Sequence, residues 1–186
     1  MYRRLIPLVA LAVALPATLA AQAAAPADSA AATARIQNAL SAAPAAVAAH
    51  ATVADMDGTV LRAGTNGWVC LPDMANVPNN APMCLDASWR ELIDAWQHHR
   101  TPKLTAIGVG YMLQGDLPVS NTDPFAQAPT ADNHWIQHGP PHIMLIVPEA
   151  RLLETVSTDP ANGGPWVMWK GTPYAHIMVP TVPRTD

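Results

Sequence analysis

Two segments carry apolar residues on both of the faces that alternate along an extended backbone: Leu104-Thr105-Ala106-Ile107-Gly108-Val109-Gly110-Tyr111-Met112-Leu113 and Ile143-Met144-Leu145-Ile146-Val147. Such strands must be hidden from water on both sides, which predicts a central place in a covered sheet. Gly108 and Gly110 share one face and leave room there for a large ring or another backbone. The clearest helix runs from Asp86 to His99. Ser88 and Glu91 read as its capping box, and Trp89, Leu92, Ile93 and Trp96 form one apolar stripe. His98, His99 and Arg100 crowd its last turn, where positive charge suits the helix dipole, and Pro102 stops it. A short helix is predicted over Pro148 to Val156 and a closing strand over Tyr174 to Val179.

At 186 residues the chain suffices for one domain with a real core and falls short of two. The expected fold is α+β: a single compact domain over residues 50–186 with a central mixed or antiparallel sheet, one main amphipathic helix and long loops. The longest loop, Gly115 to Pro140, has no strong period, and its Phe125, Trp135 and Ile136 predict that it packs in part. Residues 24–49 are alanine-rich and read as a helical arm or linker. Asp28 or Ser29 caps it, Ile36, Leu40 and Val47 recur on one side, and Pro44 ends or kinks it.

The first 23 residues have the form of a secretory signal peptide: Met1-Tyr2-Arg3-Arg4, an apolar run from Leu5 to Ala20, and a small-residue site at Ala21-Gln22-Ala23. Pro7 and Pro16 interrupt the run, and it is shorter than the roughly 20 residues a membrane span needs. A periplasmic or extracellular protein without an integral membrane segment is expected after cleavage. Removing Arg3 and Arg4 moves the formal charge from −4 to −6, and Lys103 and Lys170 are the only lysines. A phosphate-rich partner is drawn by clustered Lys and Arg, so nucleic acid is not expected. In an oxidising compartment Cys70 and Cys84 should pair, and closing that loop is worth about 3 kcal/mol in the chain-entropy model. Metal ligation by both thiolates is the alternative, but no CxxC accompanies them.

Three constellations bear on chemistry. Asp55-Met56-Asp57-Gly58-Thr59 after Ala51-Thr52-Val53-Ala54 resembles the first motif of haloacid-dehalogenase-type phosphatases. The resemblance implies Asp55 as nucleophile, Asp57 as general acid/base and Mg²⁺ as counter-charge; Lys103, Asp116 and Asp123 are the nearest candidates for the remaining partners, at poor spacing. The competing reading is a hairpin turn at Asp-Gly. His142-Ile143-Met144 and His176-Ile177-Met178 are near copies on predicted strands. Pairing of those strands would let His142, Met144, His176 and Met178 converge, a donor set that suits copper. Zinc is the other metal considered, and His134 and His138 add an HxxxH spacing, one turn of a helix. The competing readings are core methionines and histidines satisfied by backbone. Trp166 and Trp169 beside Gly163-Gly164-Pro165 are placed to line a groove for a sugar or other flat ligand, or else to pack inward.

Gly64-Thr65-Asn66-Gly67-Trp68, Gly110-Tyr111-Met112-Leu113-Gln114-Gly115, Ser120-Asn121-Thr122-Asp123-Pro124-Phe125 and the stretch from Gly163 to Met178 resemble a group of hypothetical secreted bacterial proteins without an assigned activity. That resemblance implies an exported domain and nothing about chemistry. The leading expectation is a non-enzymatic module that binds a metal or small molecule near the two HIM strands and the Gly115 to Pro140 loop. A Mg²⁺-dependent phosphatase and a structural envelope protein are the alternatives.

Overall fold

The computed structural model describes residues 27–74 and 76–182; the expected signal peptide lies outside them. Helix α1 (Ala27–Leu40) and the short α2 (Ala45–Ala48) lead into strands β1 (Thr52–Ala54), β2 (Val60–Arg62), β3 (Val69–Leu71) and β4 (Met83–Leu85). Helix α3 (Ala87–Gln97) precedes β5 (Gly108–Met112), and β6 (Val119–Ser120) with β7 (Trp135–Ile136) makes a small separate ribbon. Then come β8 (His142–Ile146), a 3-10 turn at Ala150–Leu153, β9 (Trp166–Met168) and β10 (His176–Pro180). Eight strands form one sheet in the order β2-β1-β3-β4-β5-β8-β10-β9. The sheet is mixed, because β1 and β3 run parallel while every other pair is antiparallel. The fold is thus compact α+β, dominated by sheet and with little helix.

The two doubly apolar segments become neighbours at the centre, β5 beside β8, with Gly110 opposite Met144. Strand β5 starts at Gly108, four residues later than its apolar run, and Ile107 is 67% exposed. Its neighbour β4 pairs only as far as Leu85 opposite Gly110 before the chain turns into α3, so residues before Gly108 lose their ladder on that side. The predicted helix over Pro148 to Val156 shrinks to the 3-10 turn, and the closing strand starts two residues late, at His176.

Helices cover both faces of the sheet. On one, Ala39, Ala42, Ala43 and Ala51 pack against Val53 and the Cys70–Cys84 bridge. The arm is a layer of the fold, and its small side chains let it lie close to the strands. The Leu113 N–H donates to the Ala42 carbonyl (3.0 Å), fastening the arm to the end of β5. On the other face, α3 buries Trp89, Leu92 and Ala95 against Leu85, Met112, Met144, Ile146 and Met178. The ring that occupies the space left by glycine is Trp89: a Cβ at Gly110 would stand 3.3 Å from its Cδ1 and 2.8 Å from Met144 Cε.

The cap of α3 is Asp86, not the Ser88–Glu91 box. Asp86 Oδ1 accepts from the Trp89 N–H (2.9 Å), while Oδ2 accepts from the Val109 N–H (2.6 Å) in β5. Ser88 donates to the Ala106 carbonyl, and Glu91 is taken by Arg100 and the Lys103 N–H, which leaves neither free to cap. Arg100 and that N–H hold the Glu91 carboxyl down at about 2. One carboxylate therefore secures both the helix start and the central strand. Asp86→Ala is expected to cost about 2–3 kcal/mol, the loss of a cap plus a charge-assisted bond, and Asp86→Asn to recover part of it. Urea unfolding midpoints of the two variants measure the difference; equal midpoints to wild type would show that the carboxylate holds neither element.

Candidate functional site

On the face that α3 covers, strand register sets the side chains in rungs. Leu85, Gly110, Met144, Met178 and Trp166 stand in direct succession across β4, β5, β8, β10 and β9. One rung to one side holds Met112, His142 and Pro180; to the other side His176 faces Met168. The two His-Ile-Met copies run antiparallel, so Met144 and Met178 meet while their histidines fall at opposite ends. His142 stands opposite Pro180, four positions from His176, or roughly 13 Å of strand. Metal–nitrogen bonds are about 2 Å, so with the methionine pair between them the two imidazoles do not share one ion.

Each histidine is fixed by the same local bond. His142 Nδ1 lies 2.7 Å from the Pro140 carbonyl and His176 Nδ1 lies 3.0 Å from the Tyr174 carbonyl. A carbonyl only accepts, so each Nδ1 carries a proton, and on a neutral ring the lone pair then sits on Nε2. His142 is fully buried, and its Nε2 is a buried polar atom without a partner. His176 is also buried and is flanked edge-on by Trp89 and Trp169, with ring centroids at 4.9 and 5.1 Å. Burial pushes the His176 imidazole down to about 4, so the ring is neutral at physiological pH. No hydrogen bond to its Nε2 is found among the described residues.

Above these rungs lies a cavity of about 230 Å³, lined by Trp89, Ile93 and Trp96 of α3 and by the loop residues Leu117 to Val119, Pro124, Ala126 and Gln127. Every methionine after Met1 lines it. Met112, Met144, Met168 and Met178 are buried, Met83 is half-buried, and Met56 and Met74 are 36% and 46% exposed. Trp169 and His176 join the lining; His142 does not. The cavity holds little free charge. Asp73 accepts from the Ala81 N–H, Asp116 accepts from the Leu117 N–H, and burial pushes the Asp116 carboxyl up toward its neutral form.

The other candidate residues lie elsewhere or play other parts. Cys70 and Cys84 are directly opposed on β3 and β4 and form a disulfide with both residues fully buried. Asp55 pairs with Arg35, and Asp57 Oδ1 accepts from the Thr59 N–H (2.9 Å) across a hairpin turn whose Gly58 has φ +88°. Asp55, but not Asp57, lines a second hollow of about 400 Å³ along β1 and α3. His134 and His138 are exposed and flank the two-residue strand β7, so no helical turn brings them together. Trp166 is buried and donates its indole N–H to Asn121 Oδ1 (3.0 Å), so it presents no ring to a groove. Asn121 Nδ2 in turn donates to the Thr158 carbonyl, tying the long loop to the segment that precedes β9. Among the described residues no three side chains of His, Cys, Asp and Glu converge to hold a metal.

Sequence reasoning missed Met56, Met74, Met83, Met112 and Met168 as parts of one site. They sit on separate elements with no common spacing, and only the abundance of methionine pointed to them. No family model matches this sequence, and no curated protein or solved structure is significantly similar to it.

Proposed function

We propose that the protein is an exported binding module, released from a signal peptide near residue 23, whose cavity holds a small molecule or metal ion without transforming it. The disulfide fits an oxidising compartment, and among the described residues no helix is long and apolar enough to cross a membrane. The observation that carries the binding reading is the convergence of all seven later methionines and three tryptophans on one cavity of about 230 Å³. Methionine is unbranched and polarizable, so a thioether lining adapts to a guest without strain. A volume at the small end of ligand pockets limits that guest to two or three rings, or to a few atoms.

The test uses N-phenyl-1-naphthylamine, an uncharged probe that takes excitation energy from nearby tryptophan. Saturable binding at one per chain with micromolar Kd is expected. Ala126 is half-buried and lines the cavity, so Ala126→Phe should fill the opening and weaken the probe at least tenfold without moving the unfolding midpoint. Absence of saturable binding, or binding indifferent to Ala126→Phe, would overturn the reading.

A further inference from the structure

We infer that the occupant of this cavity is a soft monovalent metal ion, copper(I), held by Nε2 of His176 together with the thioethers of Met144, Met168 and Met178. The inference rests on the cavity reading and names its ligand.

Register brings the donors together. Met168 is directly opposite His176, Met178 is two residues along the same strand face, and Met144 is directly opposite Met178. Directly opposed side chains have Cβ atoms about 5 Å apart, and the three rotatable bonds of methionine give each sulfur the reach to meet a common point. All four residues line the one cavity. The imidazole is prepared as a ligand: its Nδ1–H is spent on the Tyr174 carbonyl, the backbone bond that metal-binding histidines commonly make with their other nitrogen. That bond fixes the ring with its lone pair on Nε2.

The chemistry of the set selects the ion. Three thioethers and one neutral imidazole are soft and uncharged, which suits Cu(I) and fails to offset the charge of a hard dication. One oxygen of Asp73 and one of Asp116 each accept a backbone N–H, from Ala81 and Leu117. Core filling accounts for buried methionines but not for Met56 and Met74, which line the same cavity while standing 36% and 46% exposed. Exposed thioethers leading to buried ones give an incoming soft ion a graded path.

The experiment titrates the disulfide-intact protein with Cu(I) under anaerobic conditions against bicinchoninate, and with silver nitrate in chloride-free buffer as an air-stable d¹⁰ probe. One equivalent of each ion should bind with submicromolar Kd, and X-ray absorption of the copper form should show sulfur with one nitrogen. The triple variant Met144→Leu, Met168→Leu, Met178→Leu nearly conserves volume, so it should fold while binding both ions at least 100-fold more weakly. Met178→Leu alone, the milder change, should weaken them at least tenfold. N-phenyl-1-naphthylamine is titrated into wild type in parallel, and the triple variant should keep a cooperative urea transition, so that lost metal binding is not lost folding. If neither ion binds wild type while the probe does, the metal inference fails and the cavity reading stands. If the probe fails as well, both fall. Metal binding undiminished in the leucine variants would place the ion elsewhere and overturn this site.

Discussion

Trp89→Ala will lower stability by about 3–5 kcal/mol, the range for deleting a large buried aromatic and leaving the space unfilled. Trp89 is 2% exposed. Its ring fills the room over Gly110 and packs edge-on against His176, and its indole N–H donates to the Met144 carbonyl (3.1 Å). The substitution removes the apolar contact between α3 and the central strands and leaves a buried carbonyl with one partner fewer. It also merges the vacated volume with the cavity. Trp89→Phe, which keeps a ring but not the N–H, should cost less, about 1–2 kcal/mol. Urea unfolding with a constant slope is the measurement. A cost under about 1 kcal/mol for the alanine variant would mean that α3 is not seated on the sheet by this ring.

The second large effect is loss of the bridge. Replacing Cys70 and Cys84 together by alanine should cost about 3 kcal/mol, within the 2–5 kcal/mol typical of native disulfides. The bond joins opposed residues of β3 and β4 at a sequence separation of 14, and both lie fully buried beneath the alanine-rich layer. The loop it closes carries Pro72, Asp73, Met74 and Ala81, with Leu71 and Met83 at its ends, all of them cavity-lining residues. Loosening that loop should therefore weaken N-phenyl-1-naphthylamine as well as lower the urea midpoint. The reduced wild-type protein should behave as the double variant does. A double variant as stable as the oxidised protein would show that the strand pair and the helix above it already fix this region without the crosslink.

The core of the fold was legible because hydrophobic pattern reports local burial. The doubly apolar stretches around Gly110 and Met144 became the two middle strands, and the stripe on Trp89 and Leu92 became the face α3 buries. Boundaries were less legible. Ser88 and Glu91 matched a capping pattern, yet Asp86 won because one of its oxygens also reaches the Val109 N–H, a partner 23 residues away that no local pattern reveals. The Asp-Gly turn at Gly58 followed from backbone preference alone, whereas the resemblance of the same residues to a phosphatase motif needed partners from distant segments. His142 and His176 were seen as a pair of repeats, and the direction of strand pairing placed them at opposite ends of it.

The amino-acid sequence by itself determined the main helix, the two central strands, the Asp-Gly turn and the kinds of side chain available for binding, and it favoured pairing of the two cysteines. Those depend on periodicity, turn chemistry and composition, which act over a few residues. Tertiary structure alone decided which donors meet. Antiparallel register put Met144 against Met178 and Met168 against His176, and packing gathered methionines from separate elements around one cavity. Shifting an antiparallel pairing by two residues would leave every apolar face buried while exchanging the neighbours of His176. Hydrophobic pattern therefore fixes which face is hidden, and only the assembled ladder fixes who stands opposite whom.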